Sequence, residues 1–130
     1  MSGNKYIVDS SAWIEYLEAT PQGSKVAKII EAESNEIITP NIVVAEVTSK
    51  IIRKGGNHKI AINAIRTLSK PAYEEQNDYF LAGETHSTLI QKIRGISLAD
   101  AIILTVAEKE NAKIITKDHH LKGKNTILLE

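Results

Sequence analysis

Residues 5–17 read KYIVDSSAWIEYL and contain a strand, an acid and the start of a helix. The segment opens with the apolar run KYIV, which indicates a buried strand. Asp9 ends this run, and Trp13, Ile14 and Leu17 then recur at helical spacing, so a helix with one apolar face is predicted. A strand followed at once by a helix is the repeating unit of α/β folds.

The rest of the chain alternates in the same way between short apolar runs and longer helical patterns. Strands are predicted at residues 5–8, 36–38, 72–75, 113–116 and 126–129. The first helix is predicted to be capped by Ser10 or Ser11 and to run to about residue 18, and residues 20–23 are predicted to break the chain after it. Further helices are predicted at 24–33, 40–54, 59–68, 77–94 and 97–110. In the helix 77–94, Leu81, Leu89, Ile90 and Ile93 are expected to face inward. The length and the pattern predict one α/β domain over residues 1–130.

The composition is that of an ordinary globular protein, with 42% hydrophobic and 25% charged residues. No apolar run is long enough to span a bilayer, so no membrane association is expected. The first residues lack the pattern of a signal peptide. The chain has no cysteine and hence no disulfide framework, so a soluble cytoplasmic protein is predicted.

The bulk charge gives no argument for a polyanionic partner, because 16 basic residues balance 16 acidic ones. Basic residues do gather locally, at Lys50, Arg53, Lys54, His58 and Lys59. Such a group is compatible with solvated helix ends and loops. The alternative is a basic rim around an acidic centre, which a nucleic acid would require because its phosphates are repelled by carboxylates. The sequence leaves both interpretations open.

Three aspartates stand at the ends of apolar elements, and each has an ordinary structural explanation. Asp9 suits a turn or helix cap between strand and helix. Ser97 and Asp100 match a capping box, in which the two side chains satisfy backbone donors at a helix start. Asp118 is unremarkable as a loop residue. Taken singly, none of the three demands a function.

A fourth acid, Glu46, lies within the apolar run IVVAEV, where an ionised group is costly without a positive partner. Lys50, one helical turn later, could supply that charge. Alternatively, the four acids converge, because parallel strands direct their carboxyl ends to one edge of the sheet. Asp9 and Asp118 follow strands, and Asp100 and Glu46 lie near helix starts that border the same edge. Clustered carboxylates favour a hard cation such as Mg²⁺ or Mn²⁺.

Four stretches of the sequence resemble the signature stretches of PIN-domain proteins, in the same order and at similar spacing. They are Ile7-Val8-Asp9-Ser10-Ser11-Ala12, Val44-Ala45-Glu46-Val47, Ile96-Ser97-Leu98-Ala99-Asp100-Ala101 and Ile115-Thr116-Lys117-Asp118. Nearly the whole chain is similar to the single-domain ribonucleases of the VapC toxin type.

The resemblance implies a three-layer α/β/α fold with a short, mostly parallel sheet, and a Mg²⁺- or Mn²⁺-dependent endoribonuclease. Carried over by position, Asp9 and Asp100 would be the principal metal ligands. Glu46 and Asp118 would bind directly or through water, and the neighbouring polar residues would be Ser10 and Thr116. The same resemblance implies an RNA substrate, a small antitoxin partner and a homodimer.

The chain departs from some PIN-domain relatives after Asp118, where they carry a further acid and this chain has His119 and His120. The number of bound metals, one or two, therefore stays open. Adjacent side chains rarely converge on one ion, so both histidines are expected at the loop surface. A catalytically silent PIN-like module that assembles protein or RNA complexes remains the alternative to an enzyme.

Overall fold

The computed structural model describes residues 4–123 and 125–130, so the expectation about the first residues of the chain lies outside the described residues. In these ranges the strands are β1 (Lys5–Val8), β2 (Glu36–Thr39), β3 (Lys70–Pro71), β4 (Lys113–Thr116) and β5 (Thr126–Leu128). The helices are α1 (Ser10–Leu17), α2 (Pro21–Ile30), α3 (Asn41–Arg53), α4 (His58–Leu68), α5 (Gln76–Leu89) and α6 (Leu98–Glu110). A 3₁₀ turn, His119–Leu121, follows β4.

The five strands form one sheet in the order β3-β2-β1-β4-β5, and every neighbouring pair is parallel. Right-handed crossovers place α1 to α4 on one face and α5 and α6 on the other, because the strand order reverses direction after β3. The helix contacts agree: α1 packs on α2 and α3, α3 packs on α4, and α5 packs on α6. The α/β/α architecture that the sequence predicts is confirmed.

The core lies against the central strands, whose apolar run is covered on both faces. Ile7 and Val8 of β1 and Ile115 of β4 have no solvent exposure. Trp13 of α1 is also fully buried and meets the ring of Tyr16 edge to face, with the ring centroids 5.9 Å apart. This packing anchors the start of α1, and with it the turn that carries Asp9.

Helix α2 begins earlier than predicted, because residues 20–23 start the helix rather than separate two helices. The side chain of Thr20 caps it by accepting a hydrogen bond from the Gly23 amide at 3.0 Å, and Pro21 occupies the first helical position. A Cβ atom at Gly23 would lie 2.0 Å from the carbonyl oxygen of Glu15, so only glycine permits this close approach of α2 to α1.

The strand predicted at 72–75 is wrong, since the residues that pair with β2 are Lys70 and Pro71. Proline lacks a backbone N–H group, but Pro71 can lie in the sheet because β3 is an edge strand.

The helix predicted at 77–94 is shorter, and its inward face is only partly as expected. Leu89 and Ile93 are half-buried, whereas Leu81 and Ile90 are 52% and 49% exposed. Helix α5 packs on α6 through the buried Ala82, which leaves its outer side uncovered. Among the described residues no helix has both the length and the apolar character to cross a membrane.

Candidate metal centre

The four predicted acids lie at the edge of the sheet where the parallel strands end. Asp9 directly follows β1, and Asp118 lies two residues beyond β4, the strand that pairs with β1. Asp100 is in the first turn of α6, and Glu46 is in the second turn of α3. Because both helices start at this edge, the fold brings acids from four separate segments together.

Asp9 caps helix α1 and is almost completely buried, with 5% of its surface exposed. One carboxylate oxygen accepts a hydrogen bond from the Ser10 amide at 2.8 Å. The sequence allows either a serine or Asp9 as the cap of this helix. The cap is Asp9 and the serine prediction is wrong, because α1 already begins at Ser10 and Asp9 is the residue before it. The cap fixes one oxygen of Asp9 and leaves the other for contacts across the sheet.

Thr116, at the end of β4, connects two of the acids. Its hydroxyl donates to the second carboxylate oxygen of Asp9 at 2.7 Å and accepts from the Asp118 amide at 2.9 Å. Thr116 has no solvent exposure, so both contacts are shielded from competing water. The Ser11 hydroxyl lies 3.3 Å from that of Thr116 and accepts from the Lys117 amide, which ties the start of α1 to the same loop.

Asp100 forms the capping box that the sequence predicts. Its carboxylate accepts from the Ser97 amide, and the Ser97 hydroxyl accepts from the Asp100 amide, both at 3.0 Å. The carboxylate is thereby held at the N-terminus of α6, where the helix dipole favours negative charge. With 6% exposure, Asp100 is as buried as Asp9.

Asp118 caps the 3₁₀ turn, and its carboxylate contacts both the amide and the ring of His120. One oxygen of Asp118 accepts from the His120 amide at 2.8 Å and lies 2.9 Å from Nδ1 of the His120 ring. Ligand atoms of Asp100, Asp118 and His120 all lie within 4.8 Å of one another. His119 is exposed at the surface as expected, whereas His120 joins the acids. The sequence does contain one indication of this contact, because His120 lies only two residues after Asp118.

Glu46 reaches the site from α3 and is half-buried. Its Oε1 atom is buried and makes no hydrogen bond. Among the described residues no ion pair joins it to Lys50, so the predicted intrahelical pairing is not formed. A buried carboxylate oxygen without a partner is costly, and a cation at this position would remove the cost.

Burial and the neighbouring acids both raise the pKa values of three of the acids. Burial raises the pKa of Asp9, with further increases from Asp100 and Asp118, although hydrogen bonds from Thr116 and Ser10 oppose the shift. Burial likewise raises the pKa of Glu46, and the charges of Asp9, Asp100 and Asp118 add to the effect, whereas a hydrogen bond with Ser10 opposes it. The pKa of Asp100 is raised by burial and by Asp118. Oxygen donors that repel one another in this way fit a hard divalent cation.

A basic surface adjoins the acids on α3. A cavity of about 520 Å³ is lined by Ser10, Ala45, Glu46, Ser49, Lys50 and Arg53. The Arg53 side chain donates to the Ser49 hydroxyl at 3.3 Å, whereas Lys54, outside the cavity, is paired with Glu18. The basic group that the sequence identified is therefore divided: Lys50 and Arg53 border the acids, and Lys54 does not.

The chain is a parallel α/β/α domain in which four acids from different segments lie at one edge of the sheet. The family model of the PIN domain matches residues 6–125, and the chain therefore belongs to the PIN-domain family. Comparison with curated proteins gives no match.

Solved structures share this fold at low sequence identity. PAE2754 from Pyrobaculum aerophilum is 17% identical with a TM-score of 0.70, over 97% of this chain and 90% of that one. VapBC2 from Rickettsia felis, solved with a promoter DNA fragment, is 20% identical with a TM-score of 0.73, over 95% and 96%. VapC20 from Mycobacterium tuberculosis, described as a toxin that cleaves the sarcin-ricin loop, is 20% identical with a TM-score of 0.65, over 83% and 85%.

Proposed function

We propose that the protein is a Mg²⁺- or Mn²⁺-dependent endoribonuclease and the toxin of a type II toxin–antitoxin pair. The observation that carries this proposal is the buried, unpartnered Oε1 atom of Glu46 beside three further acids. Such an arrangement is unfavourable in an apolar helix without a cation. A silent binding module has no need to retain it. The toxin structures that share the fold support the biological role.

In this proposal Asp9 and Asp100 are the principal ligands, and Glu46 and Asp118 bind directly or through water. A bound divalent cation supplies Lewis-acid activation of water and of the scissile phosphate. The chain supplies the fixed geometry: Thr116 and the Ser10 amide each hold one oxygen of Asp9. The capping box fixes Asp100 in the same way. The ligands are thus positioned before the cation arrives.

The RNA backbone would approach along the cavity of α3, because Lys50 and Arg53 offer positive charge next to the acids. Phosphates on either side of the scissile bond need such charge to offset repulsion by the carboxylates. Lys54 and Lys117 are less suited to this role, since Glu18 and Glu15 already neutralise them.

The test is cleavage of total RNA by the purified protein, followed by mapping of the cut ends. Cleavage should disappear with EDTA and return with Mg²⁺ or Mn²⁺. Asp9→Asn and Asp100→Asn should reduce the rate by at least about 10²-fold, because each removes a charge on which the reaction depends. The fourth aspartate, Asp78, pairs with Lys109 on α5 and α6, so Asp78→Asn is the matched control.

Full metal-dependent cleavage by either cluster variant would contradict the assignment. A wild-type protein that does not bind Mn²⁺ at millimolar concentration would instead favour the silent module.

We also propose a homodimer that binds a small antitoxin in the cytoplasm. Several large apolar side chains are exposed, among them Phe80 and Leu81 on α5, and such residues favour burial against a partner. The absence of cysteine accords with a reducing compartment. Light scattering after size-exclusion chromatography should give the mass of a dimer, and a monomer at micromolar concentration would contradict this part of the proposal.

A further inference from the structure

His120 lies beside Asp100 and Asp118, two of the proposed metal ligands. Its ring Nδ1 is 2.9 Å from an oxygen of Asp118. One potential ligand atom from each of Asp100, Asp118 and His120 lies within 4.8 Å of the other two. Two neighbouring ligands of an octahedral ion with metal–ligand bonds near 2.1 Å are about 3 Å apart. The distance between Nδ1 and the Asp118 oxygen is that of a hydrogen bond, and it also matches the separation of two donors to one ion.

The backbone holds the ring in this position. The His120 amide is hydrogen-bonded to the same Asp118 oxygen, so the turn orients the side chain toward the acids. On the other side, the ring edge lies against Gly95, where a Cβ atom would be 3.2 Å from Nε2. Gly95 also has a φ of +85°, which favours glycine. The adjacent His119 makes no such contact and is exposed.

Imidazole nitrogen and carboxylate oxygen select different metals. Oxygen donors suit Mg²⁺ and Mn²⁺ alike, whereas a nitrogen donor strengthens the binding of Mn²⁺ and of later transition metals far more than that of Mg²⁺. From this geometry we infer that His120 is a nitrogen ligand of the metal centre and that it makes the site select Mn²⁺ over Mg²⁺. The inference rests on the metal centre proposed above and specifies its metal.

The test measures metal binding directly in the full chain. Mn²⁺ affinity is read from the signal of free Mn²⁺ in electron paramagnetic resonance, and Mg²⁺ affinity from competition with it. His120→Asn should weaken Mn²⁺ binding by about 10- to 100-fold and change Mg²⁺ binding by less than about threefold. His120→Asp, which replaces the nitrogen by a hard oxygen, should keep Mg²⁺ binding and lower the preference for Mn²⁺. His119→Asn is the matched control and should change neither.

Spin-echo modulation of bound Mn²⁺ gives an independent measurement, since it detects a directly coordinated nitrogen. The nitrogen coupling should be present in the wild type and in His119→Asn, and absent in both His120 variants. A wild type that binds Mn²⁺ without nitrogen coupling, or a His120→Asn variant with equal losses for both ions, would overturn the inference and leave the metal centre intact. A wild type that binds no divalent ion would overturn the centre itself.

Discussion

The hydroxyl of Thr116 donates a hydrogen bond to the carboxylate of Asp9 at 2.7 Å and joins the ends of two adjacent strands. The same hydroxyl accepts from the amide of Asp118. One buried side chain thus sets the positions of two acids. It also lowers the pKa of Asp9 against the effect of burial, so it helps to keep that carboxylate ionised.

The first prediction is that Thr116→Val preserves the packing and damages the site. Valine has nearly the same shape but leaves the Asp118 amide without its acceptor and Asp9 without its closest donor. The variant should lose about 1–3 kcal/mol of stability, because buried polar groups lose their partners. Mn²⁺ affinity should fall by about 10- to 100-fold. Urea unfolding and metal titration measure the two effects.

Thr105→Val is the matched control for this change. Thr105 is buried in α6, and its hydroxyl donates only to the Ala101 carbonyl at 2.8 Å. Its loss should leave metal affinity unaltered. Thr116→Ser retains the hydroxyl and should restore much of the affinity; a serine variant as weak as the valine variant would show that the hydrogen bonds are not responsible.

The second prediction concerns Glu46, whose charge is unfavourable in the metal-free protein. Glu46→Gln removes that charge and keeps the shape, so it should raise the melting temperature in EDTA, by roughly 3–5 °C for each kcal/mol gained. Added Mn²⁺ should stabilise the wild type more than the variant, because only the wild type offers a negatively charged ligand here. Differential scanning calorimetry in EDTA and in Mn²⁺ gives both comparisons.

Glu33→Gln is the control, since Glu33 is an exposed residue away from the acids. It should change the melting temperature little in either buffer. If Glu46→Gln lowered the metal-free melting temperature, the carboxylate would have a stabilising partner in the protein and would not need a cation.

The third prediction is a pH dependence of stability in the metal-free protein. In the unfolded chain Asp9 and Asp100 have pKa values near 3.8 and Glu46 has one near 4.5, whereas burial raises the pKa of all three in the folded protein. At pH values between the ordinary and the raised pKa, the folded protein therefore binds more protons than the unfolded chain does. Stability from these groups is complete below the ordinary pKa and is lost as the pH rises through the raised one.

The stability difference between Glu46→Gln and wild type isolates one of these groups. In EDTA it should be small at pH 4 and should grow in favour of the variant as the pH rises. Urea midpoints measured across this range test it. A difference that stays constant with pH would mean that Glu46 is not perturbed by its surroundings.

Much of the fold follows from local patterns in the sequence. The strands 5–8 and 113–116 and the capping box of Ser97 and Asp100 occur where predicted, because burial and backbone capping act on neighbouring residues. Helix α5 was predicted less well: its inward face depends on which residues α6 covers, and periodicity does not reveal that Ala82 is buried while Leu81 is exposed.

In the site, too, the contacts between neighbouring residues follow from the sequence, and a contact that depends on the folded loop does not. Each of the three aspartates has an ordinary structural role. Asp9 caps α1, Asp100 belongs to the capping box of α6, and Asp118 caps the 3₁₀ turn. Capping directs each carboxylate to the same edge, so the structural role and the proposed metal-binding role are compatible. The contact of His120 with Asp118 is not predicted from the sequence, because it depends on the 3₁₀ turn after Asp118, which brings the His120 ring back to the acid.

The last prediction tests the path of the RNA along α3. Lys50 and Arg53 line the cavity beside Glu46, so Lys50→Gln and Arg53→Gln should each weaken binding of single-stranded RNA. Each lost phosphate contact lowers the slope of log affinity against log salt by about 0.7. Fluorescence anisotropy at several salt concentrations, on an Asp9→Asn background that prevents cleavage, measures the slope. Lys28→Gln, an exposed lysine outside the cavity, is the control. Equal slopes in all three variants and the parent would place the RNA elsewhere, because affinity from phosphate contacts always depends on salt.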